Sequence, residues 1–155
     1  MPPTDRGFTM VELLMVLLIT SILGGFGLSA YKGIEKIELA TTASHIQSLI
    51  RTAQAEAHGE EDTHIVAFYS ILGECNHIKN AKSINKIVLG ERVNMNRTNF
   101  TNGKLYFRGK LSPSQGGTIV LNSKIYQVKI TILPVTGRVK IYPITKKYGG
   151  WLCTS

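Results

Sequence analysis

The chain opens with an apolar run that contains a single formal charge. Across residues 8–31, every residue except Glu12 is apolar or weakly polar. A helix of that length rises about 36 Å, which exceeds the roughly 30 Å thickness of a bilayer's hydrocarbon core. We therefore predict a transmembrane helix over residues 8–31. Because a carboxylate inside a membrane segment is costly, Glu12 is expected to have a specific partner.

The helical pattern continues beyond the apolar run but becomes amphipathic. No proline occurs between Phe8 and Gly59, and Gly59 has the role of a helix stop. Apolar residues recur at spacings of three and four, which places them on one helix face, whereas charged residues such as Glu35 are assigned to the other faces. This pattern predicts an amphipathic helix over residues 32–59. The apolar face consists of Leu39, Ala43, Ile46, Ile50, Ala53 and Ala57.

The remainder of the chain has the alternating pattern of strands. The fold class predicted is α+β, in which the long N-terminal helix packs on a C-terminal antiparallel sheet within a head domain at residues 60–155. Two polar stretches, 73–83 and 94–103, are predicted as irregular loops. Strands are predicted at residues 63–71, 104–108, 118–121, 126–132 and 139–141, with a further extended segment at 84–94.

The junction between leader and apolar run carries a recognisable motif. Gly7-Phe8-Thr9 followed by Glu12-Leu13 resembles the prepilin leader and N-terminal helix of type IV pilins and type II secretion pseudopilins. The resemblance implies that a prepilin peptidase/methyltransferase cuts between Gly7 and Phe8, which removes the leader 1–7, and then methylates the new amine of Phe8. It also implies that Glu12 pairs with the N-terminal amine of a neighbouring subunit. A plain anchor or an uncleaved secretory signal would explain neither Gly7 nor Glu12.

The same resemblance implies a location and a set of partners. The chain would lie in the bacterial cytoplasmic (inner) membrane as a single-pass protein with its head outside the cytoplasm. Its partners would be membrane lipid, an inner-membrane assembly platform and other pilin or pseudopilin subunits. Short motifs at residues 52–57, 116–120 and 136–139 resemble the GspH/FimT-type minor pilins. The predicted function is a filament subunit of a type II secretion or type IV pilus machine.

The sequence carries no residue pattern typical of an enzyme. The four histidines fall on a helix face, at a helix end, at a strand start and in a predicted loop, and no Cys/His group has metal-ligand spacing. We therefore predict no catalysis, no metal site and no cofactor.

Positive charge is concentrated in the second half of the chain. Of 18 basic residues, 14 lie in residues 76–155, where Glu91 is the one acidic residue. Such an imbalance favours anionic partners. The alternative function is therefore a DNA-binding minor pilin of a competence or adhesion pilus. Solvated lysines, or an interface with a secreted protein or an acidic subunit, stay open as explanations. The candidate anion-binding residues are Arg138, Lys140, Lys146 and Lys147.

The chain contains two cysteines, Cys75 and Cys153. Outside the cytoplasm they would be expected to form a disulfide that ties the C-terminus to the head domain. Two buried free thiols remain the alternative.

Overall fold

A computed structural model describes residues 8–60, 62–109 and 112–147. The chain divides into two compact units, one that ends at Ile34 and one that begins at Glu35. Helix α1 covers Met10–Gly59, and nine strands and a short 3-10 turn, Thr101–Gly103, follow within the described residues. The strands are β1 (Thr63–Tyr69), β2 (Glu74–Lys79), β3 (Lys82–Val88), β4 (Asn94–Thr98), β5 (Lys104–Arg108), β6 (Gly117–Asn122), β7 (Tyr126–Ile132), β8 (Val139–Ile141) and β9 (Thr145–Lys146).

The N-terminal unit is helical from Met10 onwards, and the large apolar side chains that the structure describes in it are exposed. Phe8 is 81% exposed, and Leu18 is 62% exposed. Among the residues that the structure describes, no helical segment meets the length and apolarity required of a membrane span. The predicted transmembrane helix over residues 8–31 therefore stays a prediction.

The C-terminal unit contains two antiparallel sheets. One has the strand order β3-β2-β1-β5, and the other has the order β4-β6-β7-β8. Strand β9 pairs with β7 at Tyr126 and Gln127, beyond the stretch of β7 that pairs with β8. The α+β prediction is confirmed, although the strands form two sheets where the sequence suggested one.

The apolar stripe of α1 is buried as predicted. Leu39, Ile46 and Ile50 are fully buried and form one core with inward-facing residues of both sheets. Burial of a branched side chain of this size contributes about 1.5–3 kcal/mol relative to exposure. The stripe is therefore the main interaction between the helix and the sheets in this unit. Its smaller members, Ala43, Ala53 and Ala57, are also buried.

Glu35 is the exception to the predicted polar faces, because it is only 1% exposed. It lies four residues before Leu39, so it is on the same helix face as the stripe. The hydroxyl of Ser123 donates a hydrogen bond of 3.2 Å to Glu35 Oε2, so one of the two oxygens of this buried carboxylate has a hydrogen-bond donor.

Two predicted loops contain strands. Residues 73–83 include β2, whose inward-facing side chains are Cys75 and His77 instead of the branched apolar residues that signal a strand. Residues 94–103 include β4, in which Met95 is buried and the pairing register with β6 shifts after it. Both strands are therefore stabilised by pairing with neighbouring strands, β1 and β6, whose own residues favour strand structure. Their local composition does not reveal this pairing.

The turn between β2 and β3 gives a testable stability prediction. Asn80 and Ala81 both have positive φ, 48° and 62°, between the paired residues Lys79 and Lys82. Alanine in this conformation is strained by about 1–2 kcal/mol, so Ala81→Gly should stabilise the fold by roughly 0.5–1 kcal/mol after the entropy cost of glycine. Urea unfolding of the full chain in detergent micelles measures the change.

A matched control separates turn strain from a general effect of glycine. Ala40 lies on the exposed face of α1, where Ala40→Gly should destabilise by roughly 1 kcal/mol. Equal destabilisation by both substitutions would contradict the account of the turn.

Candidate functional site

The start of α1 is closed by a reciprocal pair of residues, Thr9 and Glu12. The backbone N–H of Thr9 donates to Glu12 Oε2 at 2.9 Å, and the Thr9 hydroxyl donates to the same oxygen at 2.9 Å. In return, the backbone N–H of Glu12 donates to Thr9 Oγ1 at 3.3 Å. This is a capping box, in which an N-cap threonine and a glutamate three residues later satisfy orphan backbone donors. The sequence interpretation missed this role, although the Thr-x-x-Glu spacing carries its signature.

The capping box also fixes where the Glu12 carboxylate lies. Its hydrogen bonds to Thr9, the residue that follows Phe8, hold the carboxylate at the first turn of the helix. Both bonds use Oε2, and an ionised carboxylate has about four acceptor positions. The site can therefore accept further donors, such as an ammonium group, without giving up the cap. The nearby side chains of Phe8, Met10 and Val11 are exposed and apolar.

Two of the predicted site residues cannot be placed. Gly7, on the leader side of the predicted cleavage point, and Cys153 both lie outside the described residues. Cys75 is placed on β2, where it is fully buried in the core as a free thiol. Burial raises the pKa of the Cys75 thiol to about 12. The disulfide between Cys75 and Cys153 stays a prediction.

The four predicted basic residues all lie along one edge of the second sheet. Arg138 precedes β8, Lys140 lies within it, Lys146 is in β9, and Lys147 follows β9. All four are exposed, and β8 and β9 pair with successive parts of the same strand, β7. The structure therefore brings residues from two short strands onto one edge, which we call the basic edge.

A lysine and a tyrosine next to the basic edge were not among the predicted site residues. Lys129 is exposed on β7, with its Nζ 5.5 Å from the centre of the Tyr142 ring. Lys140 Nζ lies 4.8 Å from the same ring. Both distances are within the range of cation–π attraction. Apolar and polar residues alternate along β7, which predicts that Lys129 lies on the solvent face. Only the pairing of β7 with β8 brings Lys129 beside Lys140 and Tyr142. A shallow groove borders this group and is lined by Val120, Gln127, Lys129, Tyr142, Pro143 and Thr145.

The positions of two histidines also differ from the prediction. His77 lies in β2 and not in a loop, and both His64 and His77 are fully buried. Their rings are adjacent, with His64 Nδ1 and His77 Nε2 separated by 2.9 Å. Two of the four histidines are therefore in contact, although their sequence positions suggested that all four were dispersed.

Comparison with known proteins identifies the N-terminal segment and the fold separately. Residues 3–28 match the model of the prokaryotic N-terminal methylation motif. The minor pseudopilin EpsH from the type 2 secretion system of Vibrio cholerae has a similar structure, with a TM-score of 0.56 and 13% identity. That alignment covers 68% of this chain and 96% of EpsH. No curated protein has a significantly similar sequence.

The type IV minor pilin FimU of Pseudomonas aeruginosa is similar to the same degree, with a TM-score of 0.57 and 14% identity over 70% of this chain and 91% of FimU. The chain thus has the N-terminal motif and the fold of the type IV pilin and pseudopilin class, and the resemblance inferred from Gly7 to Leu13 is confirmed. Within that class, the similar structures are those of minor subunits from a secretion system and from a pilus.

The burial of Cys75 gives a testable prediction about its reactivity. Because the thiolate is the reactive form, a pKa of about 12 should make Cys75 in the folded, reduced chain react with iodoacetamide roughly a thousandfold more slowly than an ordinary thiol. Peptide mapping by mass spectrometry measures the rate at Cys75. The reference is the exposed thiol introduced into α1 by Ser48→Cys, and equal rates at the two sites would contradict the burial.

Proposed function

We propose that this chain is a filament subunit, a minor pilin or pseudopilin of a type II secretion or type IV pilus machine. The observation that carries the proposal is the Glu12 carboxylate, which Thr9 holds at the helix start beside Phe8 and among exposed apolar side chains. The match of residues 3–28 to the methylation motif and the likeness to EpsH and FimU support it.

The proposed maturation begins with removal of residues 1–7 by a prepilin peptidase, which also methylates the new amine of Phe8. Residues 8–31 hold the precursor in the bacterial cytoplasmic membrane, with the head outside the cytoplasm. An inner-membrane assembly platform then transfers the subunit from lipid into the filament. In this role the protein is a substrate of the peptidase and a structural component, without catalysis of its own.

Glu12 gives this assembly its selectivity. An ionised carboxylate in an apolar environment is strongly disfavoured unless it is paired. The amine of Phe8 from a neighbouring subunit would supply the opposite charge, and the acceptor positions left open by the capping box are where it would bind. A subunit in the wrong register would leave both charges unpaired, so we infer that this pair sets the axial position of each new subunit.

The basic edge favours a second candidate function, binding of DNA during uptake. Lys129 and Lys140 flank the ring of Tyr142, and Arg138 lies beside them before β8. Cations bind phosphates, and an exposed aromatic ring provides a surface on which a base can stack. This combination is typical of surfaces that bind single-stranded nucleic acid with little sequence preference.

The role of Glu12 is tested with two substitutions that separate its charge from its capping. Glu12→Ala removes both, whereas Glu12→Gln keeps a capping side chain but loses the charge. We expect both variants to be cleaved normally and both to be depleted at least tenfold from sheared filaments, measured by immunoblotting of filament and membrane fractions. Glu91→Gln, on an exposed turn, is the control for loss of one carboxylate. Normal incorporation of Glu12→Gln would show that capping alone is sufficient, against the proposal.

The basic edge is tested by fluorescence anisotropy of labelled single-stranded DNA with the full chain in detergent micelles. Arg138→Ala/Lys140→Ala should weaken binding at least tenfold and reduce the slope of log affinity against log salt by about 1.4. The control Lys36→Ala/Lys82→Ala removes the same charge from exposed positions on α1 and β3. Equal losses in both double variants would leave only a general charge effect, and absence of binding at low salt would favour the secretion role.

A further inference from the structure

Two buried histidines and two partly exposed carboxylates lie together where the end of α1 meets β1 and β2. His64 and His77 face the core from neighbouring strands, where β1 and β2 pair Val66 with His77. Glu56, in the last turns of α1, extends its carboxylate towards both rings and is about 40% exposed. We call Glu56, His64 and His77 the triad.

The distances within the triad match those of ligands around one metal ion. His64 Nδ1 is 2.9 Å from His77 Nε2 and 3.6 Å from Glu56 Oε2, and His77 Nε2 is 3.9 Å from the same Glu56 oxygen. Zinc binds nitrogen and oxygen ligands at about 2.0–2.2 Å, so tetrahedral ligand atoms lie about 3.4 Å apart. The three distances scatter around that value. Two histidines and one carboxylate with a further open position are also an established zinc ligand set.

The second nitrogen of His64 has the partner that a metal ligand requires. His64 Nε2 lies 3.1 Å from Glu60 Oε2, and Glu60 also pairs with Lys79. Metal-binding histidines usually donate their other N–H to a carboxylate, which orients the ring and raises its basicity. Glu60 therefore selects the tautomer of His64 that leaves Nδ1 free to bind.

The contact between the two rings itself requires a cation or a proton. Two imidazole nitrogens at 2.9 Å cannot both present lone pairs to each other, so either one ring N–H donates a hydrogen bond to the other nitrogen or both nitrogens bind one metal ion.

The charges around the triad also favour a divalent cation. Among the residues that the structure describes, Glu56, Glu60 and Asp62 contribute carboxylates in this region, and the ammonium group of Lys79 pairs with the last two. The triad lies at the C-terminal end of α1, where the helix dipole is negative. From this geometry we propose that Glu56, His64 and His77 form a binding site for a zinc-class transition metal ion, with a water molecule as the fourth ligand. The ion would tie the end of α1 to the β1–β2 hairpin.

The site is tested on the full chain, purified in detergent micelles through a tag without histidine and stripped with EDTA. Isothermal titration with zinc chloride should give one ion per chain with an affinity in the low micromolar range or tighter. Because only the folded chain holds the triad together, saturating zinc should also raise the melting temperature by roughly 5 °C or more. Cobalt(II) as the probe should give the intense visible absorption of a four-coordinate site. Calcium and magnesium, which prefer oxygen ligands, should not compete.

Substitutions distinguish the triad from adventitious binding at other histidines. Glu56→Gln should weaken zinc binding roughly tenfold or more, and Glu60→Ala, through loss of the His64 partner, roughly ten- to hundredfold. His77→Gln should abolish the cobalt absorption. The matched control is His58→Ala, which removes an exposed histidine from the same end of α1 and should leave the affinity unchanged.

The outcomes are decisive even if His77→Gln does not fold. Glu56 is partly exposed, so Glu56→Gln should keep the fold, and its affinity alone tests the site. Absence of zinc binding to the original chain, or equal binding by Glu56→Gln, would overturn the proposal. The histidines would then be a proton-bridged pair with a purely structural role.

Discussion

The fold of the C-terminal unit depends on one stripe of α1. The large side chains of Leu39, Ile46 and Ile50 fill the core, and alanines such as Ala53 on the same stripe allow strands to approach the helix closely. Both sheets direct their inward side chains into this one cluster. Because hydrophobic burial scales with the apolar area removed from water, the stripe decides which face of each strand is inward. The outward faces, the basic edge included, follow from that choice.

The N-terminal unit has a different organising constraint, because its apolar side chains have no core to enter. Exposed side chains such as Leu18 and Ile19 require lipid or neighbouring helices for burial. Glu12 is the one formally charged residue within residues 8–31, and Thr9 gives its carboxylate a defined position before any partner arrives. In the proposed filament, that preorganisation lowers the entropy cost of pairing with an incoming amine. Capping and pairing are therefore compatible uses of one carboxylate.

The sequence predicted those helices and strands in which the spacing of apolar residues matches the period of the element. The stripe of α1 and the alternation of β7 are visible because each inward position carries an apolar side chain. Strand β2 was missed because its inward positions carry Cys75 and His77, which have weak strand preference. The burial of Glu35 could have been inferred from its spacing to Leu39, but its charge argued for the opposite face. In both cases tertiary context overrides the local preference of the residue.

The triad shows why a search by spacing fails for sites of this kind. Metal ligands close in sequence are recognisable because local geometry alone brings them together, as in a turn or along one helix face. His64 and His77 are 13 residues apart, and they meet only because the β1–β2 register pairs Val66 with His77. A shift of that register by one residue would direct one histidine to solvent. Glu56 comes from a third element, which the stripe of α1 fixes against the same strands. The site is therefore a consequence of register and helix packing, and both must be known before its chemistry can be recognised.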